Sequence, residues 1–376
     1  MHITIIGGGI GGLALANRLE REGISYTVYE RHATFQPLGA GIGIGSNAML
    51  ALTRMGVSDD VLQKGMPLHT QKFYDRNRRL LNTIDFTRLK KQYGEETVTI
   101  ERADLHEALY QNVPSERIQF GRALVSIEER DDRVFATFDD GETVASDVLI
   151  AADGIHSVVR RHYVPQSTPR YAGYTCWRGI SPNDGRVEHG VSSEAWSKEG
   201  RFGWAPLYDG TVYWFACINT KADDPFYKQL TPRELSYHFR HFGDDVASLI
   251  EETDDAYFLH HDLYDIRPLE TYTFGRVALI GDAAHATTPN MGQGAGQAIE
   301  DADVLGEALA DYSSWEDAFR HYEQTRRPIA NKVVSLSRQI GWAAQWEHPF
   351  LTTFRDTVFP FVPKSLLFWR LTFLFR

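Results

Sequence analysis

The sequence predicts an α/β fold of two intimately packed parts: a parallel sheet flanked by helices, and an inserted, largely antiparallel sheet, completed by C-terminal helices. Three observations predict it. The chain opens as a βαβ unit: an apolar run (residues 2 to 6), a cluster of glycines, a helical stretch (about 11 to 22), Gly23 as a helix stop, and a second strand, SYTVYE, ending at Glu30. Later, DVLIAAD and YTFGRVALIGD read as further buried strands. From 171 to 275, alternating aromatic stretches such as YAGYTCWRGIS and TVYWFACIN suggest an antiparallel sheet.

The remaining elements follow in order. Between about 70 and 100 the chain is polar and strand-like, and ERADLHEALYQNV then gives a helix with Leu105 and Leu109 on one face. RALVSIEERDD and RVFATFDD read as a pair of strands, with a turn at Asp140-Gly141 before the buried run DVLIAAD. After Gly294, residues Ala295, Ala298, Ile299, Ala302 and Leu305 fall on one helical stripe, and helical spacing continues intermittently to about 345. The expected division is a discontinuous nucleotide-binding domain (1–70, 100–165 and 275–330), a substrate domain (71–99 and 170–274) and a C-terminal helical segment (331–376). No internal repeat or low-complexity linker separates them.

A chain of 376 residues exceeds the usual single-core limit, and 43% hydrophobic with 24% charged residues is an ordinary globular composition. The formal net charge of −11 excludes a nucleic-acid backbone as partner, since no basic excess exists to displace counterions. Cys176 and Cys217 offer neither a disulfide framework nor a metal motif; they are expected to be buried thiols in a reducing cytoplasm. ITIIGGGIGGLALA lacks the basic start of a signal peptide. No window reaches the roughly 18 apolar residues of a membrane span. The nearest, PFLTTFRDTVFPFVPKSLLFWRLTFLFR, is interrupted by Pro360, Pro363, Lys364 and Arg370, and is expected to dock on the body of the protein, with membrane contact or a dimer interface as the lesser reading. A monomer and a homodimer are both compatible with the sequence.

Gly7-Gly8-Gly9-Ile10-Gly11-Gly12 fits G-x-G-x-x-G after a buried strand and at the start of a helix, with Glu30 closing the next strand. Gly7 permits the tight turn, Gly9 lets backbone approach a pyrophosphate, Gly12 allows close helix packing, and Glu30 would take a ribose hydroxyl. This fingerprint is shared by FAD and NAD. A second motif, DVLIAADGIHSVVRR, alone reads as an ordinary strand-to-helix turn with Ser157 as N-cap. In the third, GDAAHATTPNMGQGAGQAIEDA, Asp282 and His285 raise the alternative of a metal or hydrolytic site. No second histidine or carboxylate lies at ligand spacing, so no metal is expected and His285 is read as structural or solvent-facing.

Taken together, GGGIGG, the ERADLHEAL helix, DVLIAADGIHSVVR and GRVALIGDAAHATTPNMGQGAGQAIEDA resemble, in family order, the four signatures of the group A flavoprotein aromatic hydroxylases. That resemblance implies a Rossmann-type FAD-binding domain. Glu30 would hold the adenosine ribose with Arg31 beside it, Arg102 would lie near the phosphate or ribityl region, and Asp282 would accept from a ribityl hydroxyl. Pro289 would lie near the reactive face of the ring, and backbone around Gly292, Gln293 and Gly294 would face its pyrimidine end. Ile10, Gly11, Val125, Asp153 and Ala295 complete the implied cofactor set. In this family NADH or NADPH binds transiently and reduces FAD, O2 adds at the flavin C4a position, and the hydroperoxide hydroxylates an electron-rich ring. The absence of a second G-x-G-x-x-G in strand and helix context favours that reading over a two-dinucleotide reductase. Rivals are an FAD oxidase or dehydrogenase acting directly on its substrate, and a non-catalytic flavin-binding redox sensor.

For the substrate, EGRFGWAPLYDGTVYWFA resembles the corresponding region of FAD-dependent urate hydroxylases, which implies contacts from Arg201 and Tyr213. Arg201 would anchor an anionic or carbonyl-bearing planar molecule through its guanidinium fork, with Tyr213 as hydrogen-bond partner and Pro289 opposite. Arg178, Trp204 and the pair His260 and His261 are further candidates, with Trp177, Trp214, Phe202 and Phe215 as aromatic walls. YAGYTCWRG also resembles zeaxanthin epoxidases and salicylate hydroxylases, and the whole pattern resembles tetracycline-inactivating monooxygenases; urate-like, salicylate-like and polyketide-like substrates all stay open.

Overall fold

In a computed structural model of the chain, which describes residues 1–36, 39–369 and 371–375, the apolar run His2–Ile6 lies inside a six-stranded sheet. The order is Thr273–Phe274, Val277–Leu279, Val148–Ala151, His2–Ile6, Ser25–Glu30 and Ile118–Phe120. All neighbours are parallel except the first pair. From His2–Ile6 the chain passes to Ser25–Glu30 on one side, while Val148–Ala151 pairs on the other. The glycine turn after Ile6 therefore opens at a switch point, where the carboxyl ends of neighbouring strands leave a crevice.

The helix Ile10–Arg21 starts at the turn and buries Leu13, Leu15 and Leu19. Gly23 ends it in the left-handed region. A separate three-stranded sheet, Leu124–Arg130, Arg133–Phe138 and Thr143–Ser146, rides on this unit. Its first hairpin turns at Asp131 and Asp132, both at positive φ, a pair suited to the tight turn of a twisted hairpin.

Segments from both insertions build one seven-stranded sheet. Its order is Leu259–Asp265, Arg170–Pro182, Thr211–Asn219, Arg201–Pro206, Val191–Trp196, Thr70–Tyr74 and Leu80–Asp85. It is antiparallel except between Val191–Trp196 and Thr70–Tyr74. One face packs Trp177, Phe202 and Trp214 against the helices Pro232–Phe239 and Asp244–Glu251. The other faces the six-stranded unit. A small sheet of Gly41–Ile44, Thr97–Glu101 and Met66–Leu68 lies at the junction; the sequence reading had no strand at Gly41–Ile44.

The helical stretch after Gly294 is two helices, Gly294–Asp311 and Trp315–Ala344. Beyond them Pro349–Val358 and Lys364–Trp369 fold back over the seven-stranded sheet, where Asn82 donates to the carbonyls of Phe359 (2.8 Å) and Val362 (3.1 Å). The tail docks, as its composition suggests, but through part of its surface: Phe368, Phe373 and Leu374 are buried, while Phe350, Phe361 and Trp369 are exposed. Among the described residues no single helix is long and apolar enough to cross a membrane; the bent pair Pro349–Phe361 and Lys364–Phe375 passes that test only when joined across a 93° break.

Candidate active site

One chamber of about 1280 Å³ runs from the glycine turn, past the Pro289–Ala295 segment, to the inner face of the seven-stranded sheet. At the first end its walls are backbone. Gly9, Ile10 and Gly11 line it, and a Cβ added at Gly9 would meet no protein atom within 4 Å. Gly12 has the opposite geometry, since its Cβ would stand 1.9 Å from the Gly7 carbonyl oxygen, so the third glycine serves helix packing as expected. Glu30 accepts from the backbone N–H of Gly8 (2.7 Å) and of His32 (2.9 Å). Burial raises its pKa, but these bonds outweigh it and hold the carboxyl below its usual range.

Further along, Arg102 lines the chamber with its stem packed on Gly39. Asp282 lies deep in the fold, yet its surface opens into the chamber; enclosure pushes its carboxyl up against the opposing influence of His285, Arg102 and Arg160. Pro289 begins a single 3-10 turn, Pro289–Met291, and Gly292 follows in the chamber wall at φ +63°, where an added Cβ would meet no protein atom within 4 Å. The helix Gly294–Asp311 then points its N-terminus at the same space, with Gln293, Gly294 and Ala295 in the wall. Such an end favours negative charge, as on a reduced isoalloxazine. These open glycines, the chamber-facing carboxylate and the helix end suit a flavin dinucleotide.

Several assigned cofactor residues stand elsewhere. Asp153 spends its Oδ2 on the N–H of Val158 (2.8 Å), capping the short helix Val158–Tyr163 together with Ser157. Its neighbours Ala152 and Gly154 line the chamber instead, because the strand end turns its carboxylate into the helix. Val125 and Arg31 are exposed and lie outside the chamber wall. His285 is not solvent-facing: it is buried, with Nε2 2.5 Å from Asp301 Oδ2. Asp301 also accepts from the Gly281 N–H (2.9 Å) and from Arg326 Nε (2.8 Å). Burial raises the Asp301 pKa, but His285 and Arg326 overcome this and bring it to about 2. Through Glu300 and Gln297, Arg326 ties the long helix to the cofactor-side helix. Among the described residues no group of three or more metal-ligating side chains exists.

Arg160, not singled out from the sequence, is fully buried and donates to the Ala283 carbonyl (3.0 Å). It thus locks the second motif onto the third. Its signal was present in DVLIAADGIHSVVRR, though nothing in the spacing revealed the partner.

At the other end the wall is side chains, selected by the two-residue period of strands. Cross-strand pairs put Arg201 with Cys217, Gly203 with Phe215 and Ala205 with Tyr213 on the chamber face. Phe202 with Ala216 and Trp204 with Trp214 fall on the other. Of Trp177, Trp204, Trp214, Phe202 and Phe215, only Phe215 is on the chamber face. Trp204 borders the chamber, but its indole stacks 6.2 Å from Tyr74 and lies tilted 5.9 Å from Phe202 in the opposite core. His260 likewise packs on Trp177 (4.7 Å) while His261 lines the chamber. Two glycines admit the rings: a Cβ at Gly203 would be 2.2 Å from Phe215, and one at Gly41 2.4 Å from Tyr213.

Arg201 is 2% exposed and its fork is largely committed. Nη1 donates to Glu194 Oε1 (3.1 Å), Nη2 donates to Asn290 Oδ1, and Nε is buried without a partner. Asn290 in turn donates to the Tyr174 hydroxyl (2.9 Å) and the Ser337 carbonyl (2.8 Å). Arg201 therefore joins the seven-stranded sheet to the turn that carries Pro289, with its charge balanced by Glu194; a full fork open to an anion is not what the fold presents. Arg178 lines the chamber with its positive charge beside the Tyr213 hydroxyl. Burial pushes that hydroxyl up to about 12, so it stays neutral. Glu194, Asn290 and Gly41 were missed, although GAGIGIG at 39–45 advertised glycines without a matching motif. Cys176 and Cys217 are buried free thiols.

A dinucleotide turn, a chamber-facing carboxylate and a helix N-terminus, continuous with a ring-lined pocket, define a cofactor-dependent enzyme site of the redox type. The FAD binding domain family model matches residues 1–337. Aurachin C monooxygenase/isomerase of Stigmatella aurantiaca is 34% identical, over 95% of this chain and 93% of that protein. The 2-heptyl-3-hydroxy-4(1H)-quinolone synthase of Pseudomonas aeruginosa is 32% identical, over 97% and 95%. Klebsiella pneumoniae HpxO complexed with FAD and uric acid superposes with a TM-score of 0.90 at 28% identity, covering 98% of this chain and 94% of that one. The chain belongs to the FAD binding domain family, among the group A flavoprotein aromatic hydroxylases.

Proposed function

We propose that the chain is an FAD-dependent monooxygenase that uses NADH or NADPH and O2 to hydroxylate a planar aromatic or heteroaromatic small molecule. The observation that carries this reading is the continuity of the chamber. The Pro289–Ala295 segment and the inner sheet face bound the same space, so a ring held by Tyr213 and Phe215 meets a cofactor held by Gly292–Ala295. Glu30, Arg102 and Asp282 would hold FAD along its length, with segments 1–70, 100–165 and 275–330 as its domain and 71–99 with 170–274 as the substrate domain. When bound, FAD supplies acceptance of hydride from the nicotinamide and activation of O2.

The chain's own residues do the rest. Pro289, fixed by the Asn290 to Arg201 tie, sets the distance between ring and cofactor, and orientation of this kind is worth several kcal/mol of barrier. Tyr213 offers a neutral hydroxyl beside the Arg178 cation. Such a pair stabilises a partly deprotonated phenol-like or carbonyl oxygen better than a free anion in bulk water would be. The C-terminal segment covers the chamber and limits water entry. Support for a monooxygenase over a direct oxidase comes from the family's named members, which include a monooxygenase/isomerase and a 3-hydroxyquinolone synthase.

The test is to purify the FAD-loaded protein and screen aromatic compounds for stimulated NAD(P)H oxidation, with mass spectrometry for the gain of one oxygen atom. Anaerobic bleaching of the flavin by a substrate alone would replace this reading with the oxidase. FAD binding without stimulated turnover by any ring would favour a redox sensor.

A further inference from the structure

The chamber takes the cofactor as well as a ring. Besides the glycine turn, the Pro289–Ala295 segment and the Tyr213 and Arg201 face, its wall includes an apolar arm made by three further elements. Phe86 and Leu89 line it from the Phe86–Tyr93 region, Leu336 and Ile340 from the helix Trp315–Ala344, and Leu371 and Leu374 from the C-terminal segment. The arm begins beside the cofactor-side turn, because Met291 packs in the same apolar cluster as Leu371 and Leu374. Its roof is bolted down on both sides. Phe375 stacks 3.5 Å from Tyr93, the Arg88 guanidinium lies 4.0 Å over Phe368, and Lys332 Nζ lies 4.1 Å over Phe373.

Arg201, Glu194, Asn290 and Tyr213 cluster where a ring would sit, while the side chains of these six arm residues carry no donor or acceptor. Ordered water needs about two to four polar partners, which such walls do not supply. Arg355, also in the wall, donates through Nε to Asp356 (2.8 Å) and through Nη1 to the Ala344 carbonyl (2.9 Å).

We infer that the arm is a subsite for a long, unbranched apolar substituent, so that the substrate is a ring carrying a hydrocarbon-like chain, with the ring at Pro289 and Tyr213 and the chain beneath Leu371 and Leu374. This deepens the monooxygenase reading and rests on it for the placement of the ring. Urate-like molecules would leave the arm unused. Each buried methylene contributes about 0.8 kcal/mol, roughly fourfold in Kd, until the arm is full.

The experiment uses the full-length FAD-loaded protein and quinolone rings carrying a methyl, pentyl or heptyl group. Kd is read from the change in flavin absorbance, and turnover from NAD(P)H oxidation and product mass. The heptyl probe is expected to bind at least about a hundredfold more tightly than the methyl probe. Leu371→Trp, which fills the arm, should cut that ratio by about tenfold or more; Leu89→Trp fills it from the other side and serves if the first variant fails to fold. A Kd independent of chain length, or a tryptophan variant that leaves the heptyl to methyl ratio unchanged, overturns the subsite. If chain length tightens binding but no probe gains oxygen, the subsite stands and the monooxygenase reading falls. If the methyl probe is hydroxylated as well as the heptyl one, with equal affinity, the monooxygenase reading stands and the subsite falls.

Discussion

At the cofactor end the chamber wall is backbone, supplied by glycines near 9, 43 and 292 and by a helix N-terminus; at the substrate end it is side chains, one from every second residue of the inner sheet face. The difference decides what substitution does. A backbone wall fails when any Cβ is added in the wrong direction, whereas a side-chain wall can change chemistry while its strands keep their register.

Within the glycine turn the contrast is sharpest, and the largest effect is expected there. Gly12→Ala drives a methyl to 1.9 Å from the Gly7 carbonyl oxygen, a backbone clash with no flexible neighbour to yield. We expect a loss of about 4 kcal/mol or more, or no folded protein. Gly9→Ala points into open chamber. Its thermal stability without FAD should stay within about 1 kcal/mol of the parent, while FAD affinity falls roughly tenfold or more. Equal loss of fold in both variants would show that the two glycines share one role.

Asp301 comes next. Asp301→Asn leaves Arg326 and His285 without their shared carboxylate, and breaking a buried pair of this kind costs about 3–5 kcal/mol. The acid limb of stability carries the same signature. Because the folded pKa is lowered from 3.8 to about 2, the contribution is present above the unfolded value and is lost as pH falls from 3.8 through 2. Calorimetric scans of parent and variant should converge below that window; parallel curves down to pH 2 would remove Asp301 from the acid transition.

The same contrast explains which features the sequence disclosed. Gly7, Gly9, Gly12, Asp282, Pro289 and Gly292–Ala295 stand in contiguous motifs because one turn or one helix end makes each contact, so spacing along the chain is spacing in the site. Phe202 and Trp214 misled because a strand's aromatic content does not say which face is inward; that depends on registers between Thr211–Asn219, Arg201–Pro206 and Val191–Trp196, set by pairing remote in sequence. Glu194 and Asn290 were invisible for a related reason, as each meets Arg201 from a separate element. Asp153 shows the limit of such spacing, since the strand end gives one of its oxygens to the Val158 N–H, as in a plain strand-to-helix turn. The apolar tail was legible as a docking segment, but not as the roof of the chamber.

Glu194→Gln probes the side-chain wall. The amide can still accept from Arg201, so the cost in stability should be about 1–2 kcal/mol, smaller than for Asp301. What changes is charge: Arg201 loses its balancing carboxylate. The variant should bind carboxylate-bearing aromatic probes more tightly than the parent while its affinity for neutral rings changes little, read from flavin absorbance titrations. A uniform loss across both probe classes would mean that Glu194 only supports the fold.

The smallest effect is expected at Tyr213. Its ring is held by contact with Gly41, which Phe retains, so Tyr213→Phe removes only the hydroxyl that meets Arg178. One hydrogen bond is worth about 1 kcal/mol, and ring-ligand affinity should fall about fivefold if that hydroxyl also reaches the substrate. Since burial raises the hydroxyl from 10.0 to about 12, the neutral form is favoured by folding. Its contribution is complete below pH 10 and is lost as pH rises from 10 through 12. The parent should therefore lose stability in that interval faster than the Phe variant, while below it the difference in ligand affinity stays constant with pH. An affinity difference that changes between about pH 6 and pH 9 would mean that the hydroxyl ionises in the working range, and the oxygen of the substrate would then face an anion rather than a donor.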